Sequence, residues 1–269
     1  MSIKSQPGPM CTRDSLASDL RAMGLRAGET LLVHSSLSSL GWVCGGPGVV
    51  VRALLDTLGD SGTLVVPTHS ADNSDPAYWE NPPVPEEWWA DIRVSTPAFD
   101  ARTTGTLGVG VVPETVRNWP GAVRSCHPQT SFAAVGPRAA AIVEGHALDC
   151  RLGEHSPLAR LEEGGARVLL LGAGFGSCTA FHLAEYRVHS PQSDNSFAVM
   201  TPRGRVWATV RDTSISSERF DELGAAFEKE RQVVRGAVGG AQARLFDLAD
   251  AVAYAEGWLS EHRPRTSTM

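Results

Sequence analysis

Thr179, His182 and Glu185 are the residues whose types and spacing point most directly to chemistry. They follow the apolar run 168–171 and a glycine-rich bend. If a helix starts near Thr179, then Thr179 and His182 lie at i and i+3 on one face, and Glu185 at i+6 drifts off it. A hydroxyl in the first helical turn stabilises developing negative charge, and a histidine one turn later accepts a proton near neutral pH. The same spacing also fits a capping threonine and a packed core histidine.

The glycines before this segment predict a turn. Gly172, Gly174 and Gly176 form G-x-G-x-G, whereas a dinucleotide site has G-x-G-x-x-G and an acidic residue about 20 positions later. We therefore expect a tight strand-to-helix turn. The G-x-S-x-G pattern of an α/β-hydrolase nucleophile elbow does not occur in the sequence.

Other histidines follow or flank apolar runs. His34 comes after residues 29–33, and His69 comes after residues 62–66. The carboxyl ends of parallel strands meet at one sheet edge, so these loops should converge with the His182 segment. A metal-dependent hydrolase built from His34, His69, His127 and His182 is therefore one alternative function. No H-x-x-x-H or C-x-x-C spacing supports a metal, and we predict none.

The surrounding pattern predicts an α/β fold. Residues 29–33 and 62–66 are predicted strands on either side of a helix over 47–58, which is a βαβ unit with parallel pairing. An amphipathic helix over 13–23, with Thr12 as its cap, precedes them. Further elements are expected at 138–144 (helix), 167–171 (strand), 207–210 (antiparallel strand), 218–232 (helix) and 247–262 (helix). We predict a three-layer αβα architecture with a mainly parallel central sheet and helices on both faces.

The predicted organisation is one domain over residues 1–269. Residues 68–103, rich in Pro, Trp, Asp and Glu, form a long loop insertion of the kind used for binding, and the tail 263–269 is expected to be frayed. Whether the protein is a monomer or a homodimer is left open.

Composition excludes several function classes. The formal net charge of −6 and the lack of a basic stripe argue against a nucleic-acid partner. No apolar run approaches the roughly 20 residues that span a bilayer, so no membrane association is expected. The chain has five cysteines, an odd number, and no two of them have metal-ligand spacing. This pattern predicts reduced thiols and a cytoplasmic location.

Six stretches, in order, resemble the aminoglycoside 3-N-acetyltransferases. They are LLVHSSLSSLGWVCGG, GTLVVPTHS, RSCHPQTSFAAVG, HSPLARL, VLLLGAGFGSCTAFHLAE and RFDELGAAFE, and the resemblance covers residues 12–262. It implies an α/β fold distinct from the common GNAT acetyltransferase fold. It also implies direct transfer of an acetyl group from acetyl-CoA to the 3-amino group of a 2-deoxystreptamine aminoglycoside in a ternary complex, and hence antibiotic resistance.

The resemblance also assigns catalytic roles. His182 matches the family's catalytic base, and Thr179 would stabilise the tetrahedral oxyanion. The acid that orients His182 is expected after the strand near Trp207, and Asp212 is the best match, with Glu218 and Asp221 as fallbacks. Cys178 stands where the family often has asparagine, and we do not interpret it as a nucleophile.

Binding residues follow from the same resemblance. Acetyl-CoA would be held as co-substrate by His34, Ser35, Ser36, Leu37, Gly41, Gly45, Gly46, Thr106, Leu107, Gly108, Val109, Arg124, Ser125 and Ser156. Because aminoglycosides are polycations, their site needs carboxylates and flanking aromatic residues, for which Asp72, Asp75, Trp79 and Glu185 are the candidates. Two alternatives remain: an acyltransferase of this family acting on another small amine in biosynthesis, and a catalytically silent binder of cationic sugars.

Overall fold

The computed structural model describes residues 8–263, so most of the predicted frayed tail, residues 264–269, lies outside the described residues. The strands are β1 (Met10–Cys11), β2 (Thr30–Ser35), β3 (Trp42–Val43), β4 (Thr63–Pro67), β5 (Val123–Arg124), β6 (Phe132–Val135), β7 (Arg167–Leu171), β8 (Gln192–Thr201), β9 (Gly204–Thr213), β10 (Val234–Val238) and β11 (Ala241–Asp247). The helices are α1 (Arg13–Ala22), α2 (Pro47–Leu58), α3 (Trp89–Ser95), α4 (Val111–Arg117), α5 (Ala139–Val143), α6 (Pro157–Glu163), α7 (Phe181–Arg187), α8 (Phe220–Glu230) and α9 (Leu248–His262).

The central sheet has seven strands in the order β10-β11-β7-β2-β4-β6-β5. Parallel pairing between neighbouring strands occurs only among β7, β2 and β4 in its middle. β6 and β5 on one side, and β11 and β10 on the other, pair antiparallel. The prediction of a mainly parallel sheet is therefore wrong: the sheet is mixed.

A missed hairpin explains part of this error. Val238 pairs with Ala241, so Gly239 and Gly240 form a two-residue connection between β10 and β11. Gly239 has φ +55°, a conformation that glycine adopts without a steric penalty and that tight hairpin turns require. The Gly-Gly pair between two β-prone runs is the sequence signal for this hairpin, and a βαβ pattern over the whole sheet does not account for it.

The two faces of the sheet contribute to two different cores. Along β2, Leu32 packs into one apolar cluster, whereas Leu31 and Val33 pack into the other. This follows from the two-residue side-chain period of a strand. Residues of α5 to α9 lie in the first cluster and residues of α1, α2 and α4 in the second, which confirms helices on both faces.

Several local predictions are confirmed at close to the expected bounds. α2 spans residues 47–58 as predicted, with Pro47 in its first turn. α1 is capped by Thr12, whose Oγ1 accepts a hydrogen bond from the Ser15 amide. Among residues 8–263, no helix is long and apolar enough to cross a membrane.

The insertion over 68–103 is more ordered than a loop, because it contains α3 and two short 3₁₀ turns. It is fastened to β8, which pairs with β9 as a separate two-stranded sheet. Asn73 donates to the Ala198 carbonyl at 3.0 Å and accepts from the Ala198 amide at 2.8 Å. The insertion and the β8–β9 pair therefore form one wall beside the sheet edge.

Candidate active site

The loop after β7 carries the central histidine. Gly172 has φ +67°, and a Cβ there would lie 1.7 Å from the Ser39 side-chain oxygen, so the turn requires glycine. This confirms the turn interpretation of the glycine-rich stretch. A 3₁₀ turn follows, and α7 then presents His182 near its start.

His182 is paired with Glu185, three residues later on α7. The imidazole Nδ1 makes a short hydrogen bond to Oε2 of Glu185, whose side chain is fully buried. An ionised carboxylate only accepts, so Nδ1 carries the proton and Nε2 is left as the basic nitrogen. The other carboxylate oxygen accepts from the Ser216 amide at 3.0 Å and contacts Arg263.

The environment keeps His182 neutral. Burial, followed by the positive charges of Arg151 and Arg263, lowers the pKa of His182 below its ordinary value. A neutral imidazole at physiological pH is the form that accepts a proton. The His182 ring also packs against Phe220, with ring centroids 4.7 Å apart.

Asp212, the acid predicted to orient His182, is engaged elsewhere. It is buried on β9 and accepts hydrogen bonds from the Arg151 amide at 3.0 Å and from Arg151 Nε at 3.1 Å. The Tyr186 hydroxyl donates to it as well, at 2.9 Å. The structure thus brings Glu185, rather than Asp212, to His182. The i+3 spacing of His182 and Glu185 is the sequence signal for this pair, which the prediction of Glu185 as a substrate residue overlooks.

Thr179 contacts a residue near the end of β2. Its Oγ1 lies 3.2 Å from Nε2 of His34, and both residues are buried. Burial, with a smaller effect from the neighbouring His182, lowers the pKa of His34 to about 3, so this histidine is also neutral. His34 lies at the end of β2, whereas Thr179 and His182 follow the neighbouring parallel strand β7, as convergence at the sheet edge predicts.

A cavity of about 900 Å³ opens over these residues. Eight residues predicted to bind acetyl-CoA line it, together with Thr179 and His182: His34, Ser35, Ser36, Leu37, Gly41, Gly46, Gly108 and Val109. The hydroxyl of Ser35 and Nε2 of His69, which lines the same cavity, are buried without a hydrogen-bond partner in the described residues. Unpaired polar atoms of this kind are costly unless a ligand satisfies them, so the wall suits a ligand that carries polar groups.

The other predicted acetyl-CoA residues are not among those that line this cavity. Gly45 (φ +90°) is in the turn before α2, Thr106 donates its amide to Glu114, and the exposed Leu107 donates its amide to the His69 carbonyl. Ser156 is the buried N-cap of α6, and its hydroxyl accepts from the Leu158 amide.

Arg124 and Ser125 also use their side chains for hydrogen bonds within the protein. The Arg124 guanidinium donates to the Thr68 carbonyl at 2.7 Å and to the Ser70 hydroxyl at 2.9 Å, which holds the start of the insertion. The Ser125 hydroxyl bonds Nδ1 of the buried His146 at 3.0 Å.

A second cavity, of about 440 Å³, shares His69 with the first. Its walls come from the insertion, from β8 and from the loop before α6, and include Ala71, Ser74, Tyr78, Gln129, Thr130, Arg151, Ser193, Asp194 and Asn195. His69 therefore stands at the boundary between the two cavities. It was noted in the sequence as a strand-end histidine but was not assigned to substrate or cofactor.

The predicted substrate residues differ in availability. Asp72 is exposed beside Ala71 of the second cavity. Asp75 is in an ion pair with Arg93 at 2.7 Å. Trp79 donates from its indole to the hydroxyl of Ser74, a residue of the second cavity, at 2.8 Å.

Two alternative chemistries find little geometric support. Among residues 8–263, no three His, Cys, Asp or Glu side chains are grouped so that they could hold a metal ion. Cys178 is a free thiol with no exposed surface, and burial raises its pKa to about 12. A thiol that stays protonated at neutral pH is a poor nucleophile.

Comparison with known proteins identifies the class. A family model described as aminoglycoside 3-N-acetyltransferase matches residues 32–260, so the chain belongs to that family. It is similar to the SPbeta prophage-derived aminoglycoside N(3')-acetyltransferase-like protein YokD of Bacillus subtilis (strain 168), with 47% identity over 92% of this chain and 92% of that protein. The crystal structure of YokD matches with a TM-score of 0.92, covering 96% of each chain.

Two solved relatives are described with ligands. AAC-IIIb, as a binary complex with CoASH, has 32% identity and a TM-score of 0.83, covering 95% of this chain and 99% of that one. AAC-VIa, bound to sisomicin, has 30% identity and a TM-score of 0.83, covering 93% of this chain and 97% of that one. The α/β fold with a mixed seven-stranded sheet is therefore a fold that this acetyltransferase family shares.

Proposed function

We propose that the protein is an acetyl-CoA-dependent N-acetyltransferase that acetylates the 3-amino group of 2-deoxystreptamine aminoglycosides and so confers resistance to them. The observation that carries the proposal is the buried His182–Glu185 pair, whose basic Nε2 belongs to a residue lining the large cavity. The similarity to a relative solved with CoASH supports acetyl-CoA as donor, and the similarity to one solved with sisomicin supports an aminoglycoside as acceptor.

The proposed reaction is direct transfer within a ternary complex. His182 accepts a proton from the acceptor amine as its nitrogen bonds to the thioester carbonyl carbon. Thr179 donates its hydroxyl to the oxygen that becomes negative. The carbon–sulfur bond then breaks, and the proton held by His182 goes to the departing thiolate. The products are an acetamide and CoASH, so atoms and charges balance.

Glu185 serves this reaction through His182. Its carboxylate fixes the Nδ1–H tautomer and stabilises the imidazolium that forms when Nε2 is protonated. His69 has its Nε2 free at the boundary of the two cavities, where the thioester and the amine would meet. We assign it a hydrogen bond to one of these reacting groups.

A second candidate acceptor, a small amine of low charge, is favoured by the charges of the smaller cavity. Of the described residues, Arg151 and Asp194 are the charged groups that line it. Arg151 is bound to buried Asp212, and Asp194 is 3.3 Å from Arg211. Such a balanced wall attracts a polycation only weakly.

Thiol release from acetyl-CoA tests the function directly. We would assay an aminoglycoside panel beside singly charged amino sugars, with wild type and His182→Ala in parallel. Drug-dependent release that is lost in the variant is the expected result. Release only with singly charged amines selects the second candidate. Equal release by His182→Ala would overturn the proposed base.

A further inference from the structure

We propose that Arg263 is a positioning residue of the catalytic pair: its guanidinium fixes the Glu185 carboxylate, which in turn holds His182. The inference rests on the proposed role of His182. Arg263 directly follows α9 and is 78 positions from Glu185 in sequence, so its contact closes the last described segment of the chain onto the active site.

Arg263 reaches Glu185 through both terminal nitrogens of its guanidinium. One guanidinium nitrogen contacts Oε1 of Glu185, the oxygen not used by His182. The other donates to the Ser190 hydroxyl at 2.7 Å, and that hydroxyl donates to the Glu185 backbone carbonyl at 2.6 Å. Arg263 is therefore tied to both the side chain and the backbone of Glu185, which leaves the carboxylate little freedom to turn away from the imidazole.

The charge of Arg263 completes the environment of a buried anion. The Glu185 side chain has no exposed surface, and a buried carboxylate is costly unless it is paired. Neutral His182 and the Ser216 amide each supply one N–H donor, whereas Arg263 supplies a full positive charge. The same charge opposes protonation of His182, because the imidazolium would be a second cation beside one carboxylate.

The end of α9 is itself anchored. The His262 ring stacks on Trp258 with centroids 4.2 Å apart, and the guanidinium of Arg219 lies over the same indole at 4.8 Å. Arg219 also donates to the His262 carbonyl. Arg219 directly precedes α8, and its contacts with the end of α9 help to hold Arg263 beside Glu185.

The test compares Arg263→Gln and Arg263→Lys with a matched control, Arg231→Gln, which removes an exposed arginine 3.5 Å from Asp250. The first readout is the ring pKa of His182 by NMR titration, with His182→Ala to assign its signal. We expect Arg263→Gln to raise that pKa by about one unit, and we expect Arg263→Lys and Arg231→Gln to leave it near the wild-type value. This readout needs no acceptor, so it stands even if the proposed acetyl transfer is not found.

The second readout is the dependence of kcat on pH, measured with the acceptor that gives the strongest thiol release. Arg263→Gln should lower kcat at least tenfold, change KM for acetyl-CoA less than twofold and move the acidic limb upward, with recovery in Arg263→Lys. An unchanged His182 pKa in a folded Arg263→Gln protein would overturn the inference. A lower kcat with an unchanged acidic limb, and no recovery with lysine, would reduce Arg263 to a structural contact. Should Arg263→Gln fail to fold, Arg263→Lys alone decides. A kcat and a His182 pKa near the wild-type values support the inference. A lysine variant in which kcat falls and the His182 pKa also departs from the wild-type value overturns it.

Discussion

Oγ1 of Thr179 lies 3.2 Å from Nε2 of His34, which joins the loop after β7 to the end of β2. Because β2 and β7 are parallel neighbours, their carboxyl ends meet at this edge. As an oxyanion donor Thr179 must accept here from Nε2–H of His34, so the contact holds the Thr179 oxygen in place and leaves its own proton available to the substrate. A preoriented donor is what stabilisation of an oxyanion requires, since it needs little reorganisation when charge develops.

Replacing Thr179 with valine should slow the chemical step with little effect on binding. The substitution keeps the shape but removes the hydroxyl that we assign to the oxyanion, and loss of one such donor costs about 10²–10³ in kcat. Thr179→Ser, which retains the hydroxyl, is the control. The measurement is kcat and KM for acetyl-CoA. A valine variant with wild-type kcat would remove Thr179 from the mechanism.

Glu185→Gln and Asp212→Asn should have opposite profiles. Glu185→Gln removes the charge that stabilises imidazolium and should lower kcat by about 10²–10⁴. Asp212→Asn leaves the Arg151 guanidinium without its counter-charge, so it should cost about 3 kcal/mol of unfolding free energy and change kcat less than tenfold. Urea unfolding and steady-state kinetics measure the two effects. The reverse pattern would restore Asp212 as the orienting acid.

The sequence predicted that Thr179, His182 and His34 lie together, because each follows a recognisable local pattern. His182 and Thr179 lie within one turn of each other, and His34 directly follows an apolar run. The role of Asp212 was not predictable in this way, since its partner Arg151 is 61 positions away and the two meet only when β9 packs against the loop before α6. The mixed sheet was missed for a similar reason: the pairing of β6 beside β4 is a long-range choice.

Two aspartates of the insertion, Asp72 and Asp75, should separate effects on substrate binding from effects on stability. Asp72 is exposed, so Asp72→Asn should raise KM for aminoglycosides about two- to fivefold and weaken the dependence of KM on salt. Asp75 is paired with Arg93 of α3, so Asp75→Asn should lower the melting temperature by a few degrees with little change in KM. If Asp72→Asn leaves KM for every aminoglycoside unchanged, Asp72 is not a substrate residue.

Acid should unfold the protein because it holds several neutral histidines in its interior. Burial lowers the pKa of His34 and His69 to about 3 and that of His146 to about 4. In the unfolded chain each returns to about 6.5, so below that pH the unfolded state binds more protons than the folded state. The unfolding free energy is therefore undiminished by these histidines above pH 6.5, and it falls as the pH drops toward their pKa values in the folded state.

At pH 5.5 each such histidine costs about 1.4 kcal/mol of unfolding free energy, so the melting temperature should drop steeply between pH 6.5 and 5. The measurement is calorimetric unfolding across that range, with proton uptake obtained from the slope of free energy against pH. His155→Gln is the control, since His155 is exposed and its loss should leave the slope unchanged. A flat profile from pH 7 to 5 would mean that these histidines bind the same number of protons in the folded and unfolded states, and it would count against the neutral His182 assigned as the base.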